Sequence, residues 1–259
     1  MNTDSFRMID APGGRLAYRE WRPAQPRATL LLLHGFSGDS LTFSALGPKL
    51  AVRGWRVMAP DMPAHGFSEC EADTPDDLLP SLRWLLEQVP DGMLALAGHS
   101  LGGAMAAQLA VGSPRVASLT LLAPAGLGPE VDVALIRATA AIESGAQLRA
   151  LLERVALTPP PVPLAQLDEL AKLLGPRGRL KRLAEALVGG GTQSLNIVPD
   201  LARLTIPVRL LFGLDDGVIP WTQVRAAPPR VAIHLLPRAG HALHWDQPDL
   251  VVDLLTLPA

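Results

Sequence analysis

The sequence is short of cysteine. Cys70 is the single one in 259 residues. No intramolecular disulfide can form, so a disulfide scaffold is excluded, and the lone thiol fits a reducing compartment. Aromatic residues make up only 4% of the chain, too few for a broad aromatic-stacking site. Charge of one sign is also missing: 23 Lys and Arg stand against 25 Asp and Glu, a net charge of −2. Without a basic excess there is no footprint for nucleic acid or for an anionic membrane surface. Long hydrophobic runs are absent. Leu30-Leu31-Leu32-Leu33 is among the longest, far below the roughly 20 residues a bilayer-spanning helix needs. The first residues, Met1 to Arg7, show no basic start followed by an apolar stretch, so no secretory signal is expected. The expectation is a soluble, cytoplasmic protein with neither nucleic acid nor membrane as partner. No His and Cys spacing suits zinc, and no metal or organic cofactor is expected.

What is present is a globular composition, 48% hydrophobic and 19% charged, with length enough for one large α/β domain. Ala28–His34 is almost wholly aliphatic, as a parallel strand covered on both faces should be. Arg56–Met62, Met93–His99 and Val116–Pro124 repeat the pattern. Helix-like stretches lie between them at Leu41–Arg53, Asp76–Gln88 and Gly103–Val111. This alternation predicts βαβ crossovers and a mostly parallel central sheet flanked by helices. Arg15–Trp21 reads as an antiparallel edge hairpin partner. From about 127 to 195 no strand-like run occurs. Val131–Val155 and Leu164–Val188 carry helical spacing, interrupted by Thr158-Pro159-Pro160-Pro161 and by Gly175-Pro176. Strands resume at Val208–Gly213 and Ala232–Pro237, and Leu250–Leu255 closes the chain as a helix. The expected organisation is a core of residues 1–126 and 196–259 interrupted by a helical cap, 127–195.

One pentapeptide carries chemistry. Gly98-His99-Ser100-Leu101-Gly102 follows the strand-like Met93–Ala97 and opens the helix-like Gly103–Ala107. A serine between strand and helix sits on a sharp turn that needs tiny neighbours two residues either side, and Gly98 and Gly102 supply them. Such a turn lifts the hydroxyl above the sheet and aims free helical N–H groups at the reacting oxygen. Ser100 is the candidate nucleophile.

A serine needs a base, and the base needs an orienting acid. For this motif the chain order is Ser, acid, His. His234, His241 and His244 are the histidines after Ser100. His234 lies inside a strand-like run. His241 follows Ala239-Gly240 just past that strand's carboxyl end, where open α/β sheets place their sites. It is chosen over His244, which reads as a surface or helix-start residue. The acid should follow the preceding strand, where Asp215 and Asp216 compete. Asp216 is chosen because it precedes Gly217 and the apolar Val218-Ile219-Pro220; Asp215 then stabilises the turn or is exposed. For the oxyanion hole, one N–H comes from Leu101. The other comes from the loop His34-Gly35-Phe36-Ser37-Gly38, with Phe36 as the donor. His34 is expected to support this loop by hydrogen bonding and to transfer no proton.

Together these pieces resemble the α/β-hydrolase superfamily over nearly the whole chain. The resemblance rests on His34-Gly35-Phe36, Asp61-Met62-Pro63-Ala64-His65-Gly66-Phe67-Ser68, the Ser100 elbow, Gly213–Pro220 and Gly240-His241. The second motif usually has Gly where Ala64 stands. The segment Leu119 to Glu130, with Ala123-Pro124-Ala125-Gly126-Leu127-Gly128-Pro129 at its centre, is similar to the hydrolase-like domain of acetoin dehydrogenase acyltransferase subunits. Those subunits usually carry a lipoyl domain ahead of that part. No such domain is expected here, the first lysine being Lys49 inside the core.

The resemblance implies an α/β-hydrolase fold and, with Ser at the elbow, attack on a carbonyl. The leading expectation is a carboxylic ester hydrolase for small to medium acyl esters, a small-molecule ester being the partner. The alternatives are acyl transfer, carbon–carbon bond hydrolysis of ring-cleavage products, and a non-catalytic ligand receptor on the same fold. Specificity is expected in the insertion, among Leu135, Ile136, Ile142, Leu148, Leu151 and Leu152, most of which should serve packing. Arg137 and Arg149 are expected at the surface.

Overall fold

A computed structural model describes residues 3–90, 92–173 and 178–257. Eight strands form one sheet: β1 Thr3–Ala11, β2 Gly14–Arg22, β3 Ala28–Leu33, β4 Trp55–Pro60, β5 Leu94–His99, β6 Val116–Leu122, β7 Val208–Gly213 and β8 Ala232–Leu236. The spatial order is β1-β2-β4-β3-β5-β6-β7-β8. The pairs β1–β2 and β2–β4 are antiparallel, and every pair from β4 to β8 is parallel. The helices outside the 127–195 stretch are α1 Gly47–Val52, α2 Leu79–Gln88, α3 Leu101–Val111, α8 Val198–Arg203, α9 Leu243–Asp246 and α10 Pro248–Thr256. Within that stretch lie α4 Val133–Thr139, α5 Gly145–Val155, α6 Leu164–Leu173 and α7 Gly178–Val188. No helix among the described residues is long and apolar enough to cross a membrane.

The aliphatic runs become the most buried strands. Every residue of β3 and β5 is buried, because helices cover both faces of a parallel sheet. Helix α3 is buried nearly all round, which its run of Gly and Ala permits. A Cβ at Gly102 would collide with the main-chain oxygens of Leu33 and His34, and one at Gly98 with that of Gly102. The two glycines thus let the helix start lie directly on the strand ends.

The direction in which successive strands are added to the sheet reverses between β3 and β5. From β3 the chain moves outward to β4 on one side and returns to β5 on the other. The carboxyl ends of β3 and β5 therefore flank a switch point, the place where open α/β sheets bind ligands. His34-Gly35-Phe36 follows the first of these strands, and Ser100 follows the second.

Some sequence expectations need correction. β1 was not anticipated: Thr-Asp-Ser-Phe-Arg-Met-Ile-Asp-Ala has weak alternation and is held by its ladder to β2, so Arg15–Trp21 lies in an inner strand between β1 and β4 and not at the edge. Val131–Val155 is two helices. A capping box breaks it, in which Ser144 accepts from the Gln147 N–H and the Gln147 side chain accepts from the Ser144 N–H. The other interruption, Gly175-Pro176, lies outside the described residues. His244 is no surface residue; it sits in α9, fully buried.

Candidate active site

Ser100 occupies the turn between β5 and α3 with φ 53° and ψ −118°. A non-glycine residue at positive φ is strained, and such strain persists only where the surroundings over-determine it. Here they do. The Ser100 N–H donates to Leu122 O at 3.0 Å, and Ser100 O accepts from the N–H groups of Gly103 (2.9 Å) and Ala125 (3.0 Å). The residue is 7% exposed.

His241 and Asp216 come together, as the sequence suggested. His241 Nδ1 lies 2.9 Å from Asp216 Oδ2. A carboxylate can only accept, so Nδ1 carries a proton, and in the neutral ring Nε2 keeps its lone pair. Asp216 itself is held by two main-chain donors on Oδ1, Val218 N (2.8 Å) and Ile219 N (2.9 Å), and its side chain is fully buried. These bonds give the physical reason for the choice between the aspartates: the following Gly-Val-Ile turn folds back onto Asp216. Asp215 is exposed.

The His241 loop is anchored at several points. Gly240 N donates to Asp246 Oδ2 (2.7 Å), Ala242 N to Val155 O (2.7 Å), and Asp215 N to Ala239 O (3.0 Å).

The loop after β3 covers the elbow. A Cβ on Gly35 would stand 3.2 Å from Ser100 Cβ, so the Gly35-Phe36 backbone lies against the serine. Among the described residues, neither Phe36 N–H nor Leu101 N–H donates to a protein acceptor. His34 holds this loop: its Nδ1–H donates to Gly35 O (2.8 Å) and its Nε2 accepts from Met62 N (2.9 Å). Burial lowers its pKa to about 4, so the ring is neutral and both nitrogens are engaged. Asp61 ties the second motif in place, accepting from Ser40 N (2.7 Å) and Phe67 N (2.9 Å). Ala64, standing where Gly is usual, adopts φ 66°.

The helices between β6 and β7 reach the site. Phe36 and Ile136 pack with Ala140, Leu180 and Ala184. A groove of about 530 Å³ opens between α4 and α5, lined in part by Leu135, Ile142, Leu151 and Arg154. Leu135, Ile142 and Leu151 border this groove, whose lining includes none of Ser100, Asp216 and His241, and Leu135 and Ile136 both pack against the core. Arg137 pairs with Glu185 (3.5 Å), and Arg149 donates to Val162 O (2.7 Å).

Two features had no counterpart in the sequence reading. His99 Nε2 lies 3.0 Å from His241 O. Gln193 bridges the start of the helical segment, accepting from Gly126 N (2.7 Å) and donating to Gly128 O (2.5 Å). His99 adjoins the candidate nucleophile in sequence, and that position is the one signal that could have flagged it. Among the described residues there is no group of His, Cys, Asp and Glu able to hold a metal ion.

A mostly parallel sheet with a strained serine elbow at its switch point defines an α/β hydrolase. A family model described as the alpha/beta hydrolase family matches residues 30–254, and the chain belongs to that family. Among curated relatives, the dihydrolipoyllysine-residue acetyltransferase component of the acetoin cleaving system of Cupriavidus necator is 30% identical over 243 residues, covering 92% of this chain and 64% of that protein. The protein of the same description from Pseudomonas putida is 31% identical over 245 residues, covering 92% and 65%. The chain spans less than two thirds of the length of these relatives. Among solved structures, a membrane phospholipase A described as a bacterial virulence factor aligns with a TM-score of 0.85 at 22% identity, over 97% of this chain and 84% of that one. At that identity the likeness speaks for the fold.

Proposed function

We propose that the protein is a carboxylic ester hydrolase acting on small to medium acyl esters through Ser100, His241 and Asp216. The observation that carries this reading is the Asp216–His241 contact of 2.9 Å, on loops at the same end of the sheet as the strained Ser100. Ser100 Oγ attacks the ester carbonyl carbon while His241 Nε2 takes the hydroxyl proton. The tetrahedral oxyanion is stabilised by the N–H groups of Phe36 and Leu101. The C–O bond then breaks, the proton passes from His241 to the departing alkoxide, and an acyl-enzyme remains. Water, losing a proton to His241, attacks that ester, and Ser100 leaves with the proton. Asp216 holds the imidazole and stabilises its charged form.

The helical segment 127–195 serves as the cap and selects the acyl group. A panel of p-nitrophenyl esters of graded acyl length tests the reading. Turnover that peaks at small to medium chains supports it, and no turnover of any ester contradicts it. Acyl transfer is the second reading, favoured by the likeness to the two acetyltransferase components. It is separated by adding an alcohol or thiol acceptor: a new acyl-acceptor product favours transfer, and hydrolysis indifferent to every acceptor favours the esterase.

A further inference from the structure

The side chain between Gly98 and Ser100 points at the base loop. His99 Nε2 stands 3.0 Å from the main-chain oxygen of His241, a residue 142 positions later. A carbonyl only accepts, so Nε2 carries the proton in the neutral ring and Nδ1 does not. The opposite ring edge faces the loop after β3, since a Cβ on Gly35 would stand 2.8 Å from His99 Nδ1. His241 and His244 pack against the same ring, each with centroids at 4.7 Å. The ring is thus boxed in by three segments and has one orientation available.

Its charge state is equally constrained. Burial, reinforced by His241 and His244, lowers the His99 pKa well below the ordinary histidine value. The neutral ring keeps its single N–H, and that N–H stays on the bond to His241.

The bond falls at a distinctive point of the base loop. The peptide between His241 and Ala242 is held at both ends: its N–H donates to Val155 O (2.7 Å), and its carbonyl, that of His241, accepts from His99 Nε2. Without the His99 bond that peptide keeps only its N–H anchor, and its rotation would swing the Cα–Cβ bond of His241 and turn the imidazole out of line with Asp216.

We propose that His99 is a positioning residue, whose Nε2–H locks the His241 peptide so that the imidazole stays aligned between Asp216 and Ser100. This rests on the ester-hydrolase reading for the reaction it serves. It joins nucleophile, base and oxyanion loop through one side chain: His99 precedes Ser100, bonds to His241 and packs on Gly35.

The test compares His99→Gln with His99→Leu in the full chain. Both side chains approximate the volume; Gln keeps an N–H at similar reach and Leu has none. In p-nitrophenyl ester hydrolysis, His99→Leu should lose kcat by about 10²-fold, the order expected for a misplacement near 1 Å, with KM within about twofold. His99→Gln should recover at least about tenfold of that loss. Equal kcat in the two variants overturns the proposal. Should neither variant fold, ¹⁵N-histidine spectra of the wild-type protein decide. A slowly exchanging proton on His99 Nε2 supports the bond, and an Nδ1–H tautomer overturns it. A wild-type protein that takes no fluorophosphonate on Ser100 defeats the hydrolase reading and the proposal with it. Labelling at Ser100 with equal kcat in both variants defeats the proposal alone.

Discussion

Asp216 divides its two carboxylate oxygens between tasks: Oδ2 meets His241 Nδ1 at 2.9 Å, and Oδ1 takes the main-chain N–H groups of Val218 and Ile219. The carboxylate is therefore locked before substrate arrives. Its fixed lone pair requires a proton on His241 Nδ1, which in the neutral ring leaves Nε2 as the basic nitrogen for the proposed reaction.

That division makes Asp216→Asn informative. An amide can turn its NH₂ toward the imidazole and impose the wrong tautomer, a change that costs about 10⁴-fold in kcat in triad hydrolases. Ester hydrolysis by Asp216→Asn should fall by that order. Asp215→Asn, at an exposed position, should stay within about twofold of wild type, as surface changes usually do. Reversal of the two effects would assign the acid to the wrong aspartate.

Gly102→Ala should destabilise the protein by about 2 kcal/mol or more, since overpacking against backbone that cannot yield costs at least 1–3 kcal/mol. The new methyl would meet the carbonyl oxygens of Leu33 and His34. Urea denaturation measures the loss. An unchanged midpoint would mean that the helix start does not press on β3.

Acid should lower stability. Burial depresses the pKa of His34 to about 4, of His244 to about 3 and of His99 well below its ordinary value. Below pH 6.5 the unfolded chain protonates these rings first, so stability present above 6.5 is lost as pH falls toward 4. Asp39 opposes this. Burial and the nearby Asp61 raise its pKa to about 6, so between pH 6 and 4 its protonation favours the folded state. Three rings outweigh one carboxyl. Calorimetry should show Tm falling from pH 7 to pH 5, and a Tm that rises would contradict the burial of the neutral rings.

Leu151→Trp tests the groove between α4 and α5. The indole would fill space bordered by Leu135 and Ile142. Loss of apolar room should lower kcat/KM for an octanoyl ester by roughly tenfold or more, the scale of a one-methylene misfit, and leave an acetyl ester within about twofold. Equal effects on both esters would remove the groove from acyl selection.

The parallel strands were legible because short, mostly apolar runs carry them, clearest in Ala28–Leu33; β7 begins and ends where Val208–Gly213 did. The N-terminal β1 was not, since Phe6, Met8 and Ile9 make no clear alternation and pairing with β2 decides its conformation. The Ser144-x-x-Gln147 signature was present in the sequence, but continuous helical spacing from 131 to 155 masked it. Ser100, Asp216 and His241 could be picked out because chemistry fixes their residue types and chain order. The contact of His99 with His241 could not, because it joins distant segments through a main-chain oxygen that no sequence pattern encodes. His244 looked polar and exposed; packing among Phe43, His99 and Trp245 makes it interior.

The most direct measurement is peptide mapping by mass spectrometry after treatment with a fluorophosphonate, paired with p-nitrophenyl ester turnover of the same samples. An activated nucleophile predicts a stoichiometric adduct on the Ser100 peptide, loss of turnover in step with labelling, and neither adduct nor turnover in Ser100→Ala. Wild-type protein without an adduct at Ser100, or Ser100→Ala that hydrolyses esters as wild type does, would contradict the account.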